Sequence, residues 1–168
     1  MKQIAFFLIL ILIASCGETS NTERTMEQSS PKLEEQKGNL PVDVALNFIN
    51  SYVDNCNKMK KSTGVVEWVK SNNLTTKNFQ TELKKIVDEA YKAEPELGLD
   101  ADPIFNAQDY PDKGFELESF DSKTNFVVVK GKEWADFKLT IKLVLLNETW
   151  LVDGCGIINI PNEKQIAR

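Results

Sequence analysis

The chain has no histidine. That removes the side chain whose charge changes near neutral pH and the commonest imidazole ligand for zinc. Nucleophilic schemes that pair serine or cysteine with histidine are excluded, as is a histidine pH switch. A cationic excess is lacking as well: 20 Lys and Arg stand against 25 Asp and Glu, for a formal net charge of −5. Phosphate neutralisation supplies most nucleic-acid affinity, so an acidic chain with no dense basic stripe is not expected to bind nucleic acid. Cysteine is scarce, with Cys16, Cys56 and Cys155 the only three. A long apolar run is also missing. Residues 4–14 would form a helix of about 16 Å, against a hydrocarbon core of about 30 Å, which is too short to span.

That short run has another use. Met1-Lys2-Gln3 supplies a charged start, residues 4–14 an apolar core, and Ser15-Cys16 a small residue before a thiol. This is the pattern of a bacterial export signal. Ile13-Ala14-Ser15-Cys16 reads as a lipobox, where a lipoprotein signal peptidase cuts. An ordinary cleaved signal is the weaker alternative, because a small-x-small site is poorly formed around Cys16. Residues 1–15 are therefore expected to leave and Cys16 to become the acylated first residue. Each buried CH₂ of an acyl chain contributes about 0.8 kcal/mol of membrane affinity, and several chains give stable anchoring. The expected location is the bacterial cell envelope, with the membrane reached through acylated Cys16. Gly17, rather than Asp, is compatible with transfer to an outer membrane, facing the periplasm or the surface.

Removal of the signal leaves about 150 residues, enough for one domain. Residues 16–40 hold the lipidated cysteine and a Glu-, Ser-, Thr- and Gln-rich stretch with few apolar side chains, read as a flexible tether. Organised structure is predicted over 41–160, followed by a C-terminal tail at 161–168. Pro41 suits a first helical position. Val42, Ala45, Leu46, Ile49, Tyr52, Val53 and Cys56 then recur at helical spacing, with Asn47, Asn50, Asp54 and Asn57 facing away. A short helix follows around 65–69. A third is expected from a Thr75 N-cap, with Leu74 and Phe79 as a hydrophobic staple, to Pro95. After Gly114 the period becomes strand-like, over 115–120, 125–131, 134–146 and 149–158. Asn147-Glu148 makes a tight turn that pairs Leu145 with Trp150 and Leu143 with Val152. Helices first and an antiparallel meander afterwards predict an α+β domain with its helices packed on one sheet face.

Two stretches carry a family resemblance. One is Leu99-Asp100-Ala101-Asp102-Pro103-Ile104-Phe105-Asn106-Ala107-Gln108-Asp109-Tyr110, after three helices. The other is the last strand with Trp150-Leu151-Val152-Asp153-Gly154. Over about residues 40–160 the chain resembles a family of uncharacterised bacterial secreted domains related to the nuclear transport factor 2-like superfamily, with a cystatin-like fold. The resemblance implies N-terminal helices on a curved four-stranded antiparallel sheet, often with a cone-shaped pocket. Members include isomerases, dehydratases, binding domains and protein-interaction domains, so the fold leaves the function open.

The candidates for chemistry are few. In an oxidising compartment Cys56 and Cys155 are expected to form a disulfide, with two buried thiols as the alternative. Strict alternation gives Cys155 the wrong parity for the core, so a bulge at Gly154 or Gly156 is predicted to restore it. Asp100, Asp102, Asp109 and Asp112 could suggest calcium, but their spacing does not fit an EF-hand, and no metal or other cofactor is expected. The favoured reading is that Asp102, Gln108 and Asp109 fix a long irregular connection through hydrogen bonds. Tyr110 and Trp150 complete the candidate pocket or loop-fixing set, since pocket enzymes of the superfamily often use Asp beside Tyr or Trp. No catalytic residue is assigned. Trp134 is the tryptophan expected to be exposed. The expected role is a binding module for an envelope protein or small ligand. A small-molecule pocket enzyme and an immunity-like inhibitor are the alternatives.

Overall fold

The computed structural model describes residues 40–167. The expected signal, the expected lipidation site Cys16 and the expected tether up to residue 39 lie outside the described residues. Among those described, three α-helices pack against a four-stranded antiparallel sheet, an α+β arrangement. The helices are α1 (Pro41–Cys56), α2 (Val65–Ser71) and α3 (Lys77–Ala93). The strands are β1 (Phe115–Asp121), β2 (Phe126–Gly131), β3 (Lys138–Leu146) and β4 (Thr149–Cys155), in the order β1-β2-β3-β4.

Helix α1 starts at Pro41, whose missing N–H would have no partner there. It lies along the inner face of the sheet and buries Val44, Ala45, Phe48, Ile49, Tyr52 and Val53. These meet Val127, Val129, Leu139, Ile141, Leu143 and Val152 in one apolar cluster that also takes in Phe79, Leu83, Ile104, Phe105 and Ile158. Phe48 touches both Trp68 and Phe79, with ring centroids 5.6 and 5.7 Å apart. The inner face is thus filled by side chains, where a cone-shaped pocket would need an empty space.

Asn50 does not face away. Its Nδ2 donates to the Phe115 carbonyl at 3.1 Å and its Oδ1 accepts the Phe115 N–H at 2.7 Å. Gly114 makes this approach possible: a Cβ there would stand 2.4 Å from Asn50 Oδ1, and its φ of +85° is strained for other residues. Buried Asn55 makes a similar pair with the backbone of Thr63, at 2.8 and 3.0 Å.

The cap of α3 falls one residue later than expected. Thr76 is the N-cap, its Oγ1 accepting the Phe79 N–H at 3.0 Å. Thr75 is taken by another partner: it forms a parallel bridge with Val152, and its hydroxyl donates toward the carbonyls of Val69 and Asn72. With the cap moved, Phe79 occupies the third helical position, so the expected Leu74–Phe79 staple loses its spacing.

The β3–β4 hairpin turns at Asn147 and Glu148, both with positive φ, and pairs Leu145 with Trp150 and Leu143 with Val152 as the alternation predicts. The predicted bulge is present one residue before Gly154. Val152 pairs with Leu143 and Gly154 with Lys142, leaving Asp153 as the extra residue. Cys155 thereby faces the core opposite Ile141. Lys164, in the segment after β4, lies against the outer face of the sheet. Thr140 Oγ1 donates to the Lys164 carbonyl at 2.6 Å, and the Lys164 ammonium stands 5.8 Å from the centre of the Phe126 ring.

Candidate functional site

The connection from α3 to β1, residues 94–114, contains no helix or strand. Stretches beyond about 12–15 residues without regular structure usually carry a role or a special means of support. Here the support centres on Asp102. Its Oδ1 accepts the N–H groups of Ile104 at 2.8 Å and Phe105 at 3.1 Å. Its Oδ2 accepts a short hydrogen bond from the Tyr52 hydroxyl of α1. Asp102 and Ala107 form an isolated antiparallel bridge, with Asp102 N–H donating to the Ala107 carbonyl at 3.0 Å.

This fold-back drives Phe105 into the core. Its ring lies 5.0 Å from Tyr52 and stacks on Tyr110 at 4.7 Å with a 10° interplanar angle. Tyr110 donates to Asn57 Oδ1 at 3.1 Å, and Asn57 Nδ2 donates to the Asp112 carbonyl at 2.9 Å. The loop is clasped to the C-terminal end of α1 at its middle, through Asp102, and near its far end, through Tyr110 and Asp112. Gly156 closes the far side: a Cβ there would meet the Pro103 carbonyl oxygen at 2.3 Å.

Burial pushes the Asp102 carboxyl above the usual carboxylate range, against the opposing pull of its hydrogen bonds from Tyr52, Phe105 and Ile104. Burial, the charge of Asp102 and their hydrogen bond push the Tyr52 phenol up as well. Cys56, one turn beyond Tyr52, has its thiol pushed up to about 11, by burial first and the charge of Asp102 second. A thiol so protonated is a poor nucleophile at neutral pH.

The candidate residues separate into three groups. Asp102, Gln108 and Tyr110 are all in the clasp; Gln108 Nε2 donates to the Asp100 carbonyl at 3.1 Å and lies 3.3 Å from its carboxylate. Asp109 is exposed and lines a surface cavity instead. Trp150 is not brought to them. It is the second residue of β4, about 16 Å of strand away from Cys155 at about 3.3 Å per residue, and it is Cys155 whose Sγ lies 3.6 Å from the Ile104 carbonyl.

The expected disulfide between Cys56 and Cys155 is not formed in the structure. Their sulfurs engage different parts of the same loop: Cys56 is at the Tyr52–Asp102 pair and Cys155 is at the Ile104 carbonyl. Restoring the parity of Cys155 was therefore not sufficient to join them. Among the described residues no group of three or more Cys, Asp or Glu side chains could hold a metal ion.

No protein-family model, curated protein or solved structure matches this chain. Its chemistry rests on its own geometry.

A second polar cluster was invisible in the sequence. Asp153 on the β4 bulge is buried, and its Oδ1 accepts from Thr76 Oγ1 at 2.7 Å and Asn78 Nδ2 at 3.2 Å. Its Oδ2 accepts from the Lys142 ammonium at 2.9 Å. Burial pushes this carboxyl up, but Lys142, Thr76 and Asn78 together pull it below the usual range. The sole hint in the sequence was the bulge, which turns one extra side chain away from the core.

Among the described cavities, none is lined by the central residues of either cluster. The two cavities of about 560 and 540 Å³ lie at the surface, one along α2 and α3 and one beside the 94–114 loop, and neither is lined by Asp102, Tyr52 or Asp153. Both clusters tie elements together: Asp102 ties the loop to α1, and Asp153 ties β4 to the start of α3.

Proposed function

We propose that the protein is a lipid-anchored envelope lipoprotein whose cystatin-like, nuclear transport factor 2-like domain acts as a binding module. The observation that carries the binding reading is the filled inner face of the sheet, where Phe48, Ile49, Phe105 and Leu139 are fully or almost fully buried. A small-molecule enzyme of the superfamily type needs that space open, with convergent polar groups in it. The buried Tyr52–Asp102 pair supports the same reading, since both groups are engaged by the loop and face no cavity among those described. Binding would then use the outer surface of the domain.

The anchor and the binding role are tested separately. Labelled palmitate should enter the wild-type chain and not Cys16→Ala; equal labelling of both refutes the anchor. The tagged chain, purified from detergent-solubilised envelope, should carry a partner at a fixed ratio. Recovery of the chain alone, under conditions where known envelope complexes survive, counts against the binding role.

A further inference from the structure

The cavity beside the 94–114 loop has a volume of about 540 Å³. Its apolar wall is Trp134, Phe137 and Ala107, and Asp100, Asp109 and Asp136 stand around it. Trp134 is 46% exposed, a large apolar area for a tryptophan to leave in water. It is also held in place. Its ring meets buried Phe137 edge-on at 4.9 Å and 62°, and the Phe137 N–H donates to the Trp134 carbonyl at 2.9 Å. The ring is fixed without being covered.

The charge that the described residues place around this wall is of one sign. Among the described residues no lysine or arginine lines the cavity, and Asp100, Asp109 and Asp136 form no ion pair with a described lysine. On the sheet, by comparison, Glu118 meets Lys130 at 3.0 Å and Lys138 at 2.7 Å. The three aspartates are not grouped to hold a metal ion. Spread around an aromatic wall, they complement a larger, delocalised cation. An arginine side chain has that form: a planar guanidinium that stacks on an indole, donors pointing outward in its plane, and an apolar stem. The carboxylates are exposed and the cleft is open to solvent, so the bound group is one side chain of a longer segment that covers the opening, rather than a small molecule enclosed by the pocket.

We infer that this cavity is the docking site for an arginine presented by an extended basic segment of a partner protein, stacked on Trp134 and ringed by Asp100, Asp109 and Asp136. The inference names a partner chemistry for the binding role above and rests on it.

The test uses the full chain in detergent micelles and a fluorescein-labelled Gly-Arg-Gly-Arg-Gly peptide, read by polarisation. The matched citrulline peptide, which has the same shape without the charge, should bind at least about tenfold more weakly. Raising the salt from about 0.05 M to about 0.3 M should weaken only the arginine peptide. Trp134→Ala should weaken it about fivefold, Asp136→Asn about threefold, and Glu89→Gln on α3 not at all. Trp134→Phe, which keeps an aromatic wall, should lose less than Trp134→Ala and stands in for it if alanine disturbs folding. Equal affinity for the two peptides overturns the inference, as does unchanged affinity in a folded Trp134 variant. Displacement by free spermidine at matched charge, with the same dependence on Trp134, would reassign the cavity to a small polyamine and overturn the peptide. If the envelope partner still co-purifies with Trp134→Ala, this site is wrong and the binding role stands.

Discussion

Asp102 in the loop after α3 and Asp153 on the bulge of β4 are both carboxylates largely withdrawn from water, and their surroundings push them in opposite directions. Asp102 receives donors that carry no charge, a phenol and two backbone N–H groups, and burial wins. Asp153 receives two neutral donors and one ammonium, and the donors win. Both are fully engaged, since no buried side-chain nitrogen or oxygen lacks a partner among the described residues. Satisfying a carboxylate's hydrogen bonds and holding its charge are thus separate matters: only the second requires a cation nearby. The loop clasp depends on shape, while the β4–α3 junction depends on charge.

Alanine should hurt both sites about equally. Asp102→Ala strands the Tyr52 hydroxyl and two N–H groups, and Asp153→Ala strands Lys142 and Thr76, so each should cost about 3 kcal/mol in urea unfolding. A cost below about 1 kcal/mol at either position would mean that water replaces the carboxylate there, and the comparison fails.

Cys56 reports on the charge of the clasp. With its thiol raised to about 11, its alkylation by iodoacetamide at pH 8 should run about a hundredfold slower than that of an unperturbed peptide thiol. Asp102→Asn removes one of the two causes and should speed labelling; an ordinary rate in the wild-type chain would show that Cys56 does not feel the clasp.

Asparagine separates the two sites. It keeps the shape and removes the charge, so Asp102→Asn should cost less than about 1 kcal/mol and Asp153→Asn about 1.5 kcal/mol, because only the latter leaves Lys142 without its counter-charge. The reverse order in denaturant midpoints would invert the assignment of shape and charge.

The smallest effect is in the pH dependence, and its sign differs between the sites. Asp153 titrates below its unfolded value of about 3.9, so its contribution is present above that pH and is lost as pH falls through the folded pKa. Asp102 titrates above its unfolded value; the native state holds the extra proton, so its contribution is greatest in acid and declines as pH rises from about 3.9 through the folded pKa. Melting curves from pH 3 to 7 should therefore show a shallower acid loss in Asp153→Asn. In Asp102→Asn the loss of stability on leaving mild acid should shrink. Parallel curves for all three chains would remove the distinction.

Much of this frame was legible in the sequence because it is local. Helix α1 follows from one apolar stripe behind Pro41, and the β3–β4 register from a two-residue turn between alternating strands. The loop-fixing role of Asp102 was legible for the same reason, since an aspartate before a proline folds back on the next N–H groups. The rest depends on contacts distant in sequence. Thr76 takes the cap from Thr75 because Val152 claims Thr75. Asp153 meets partners 77 and 75 residues away. Trp150 was grouped with Asp102 by residue type, and strand length separates them. The bulge corrected the parity of Cys155 without bringing it to Cys56, because facing the core is a weaker condition than facing one atom in it.

The amide of Asn50 has a further consequence. A strand added beyond β1 would offer Phe115 one donor and one acceptor, and Asn50 already offers both from α1. It acts toward the sheet as a terminator acts toward a growing polymer, occupying the next linkage with a unit that cannot be extended. At the first residue of β1 the sheet edge is closed by a helix side chain, and whatever loosens α1 there would free that one linkage.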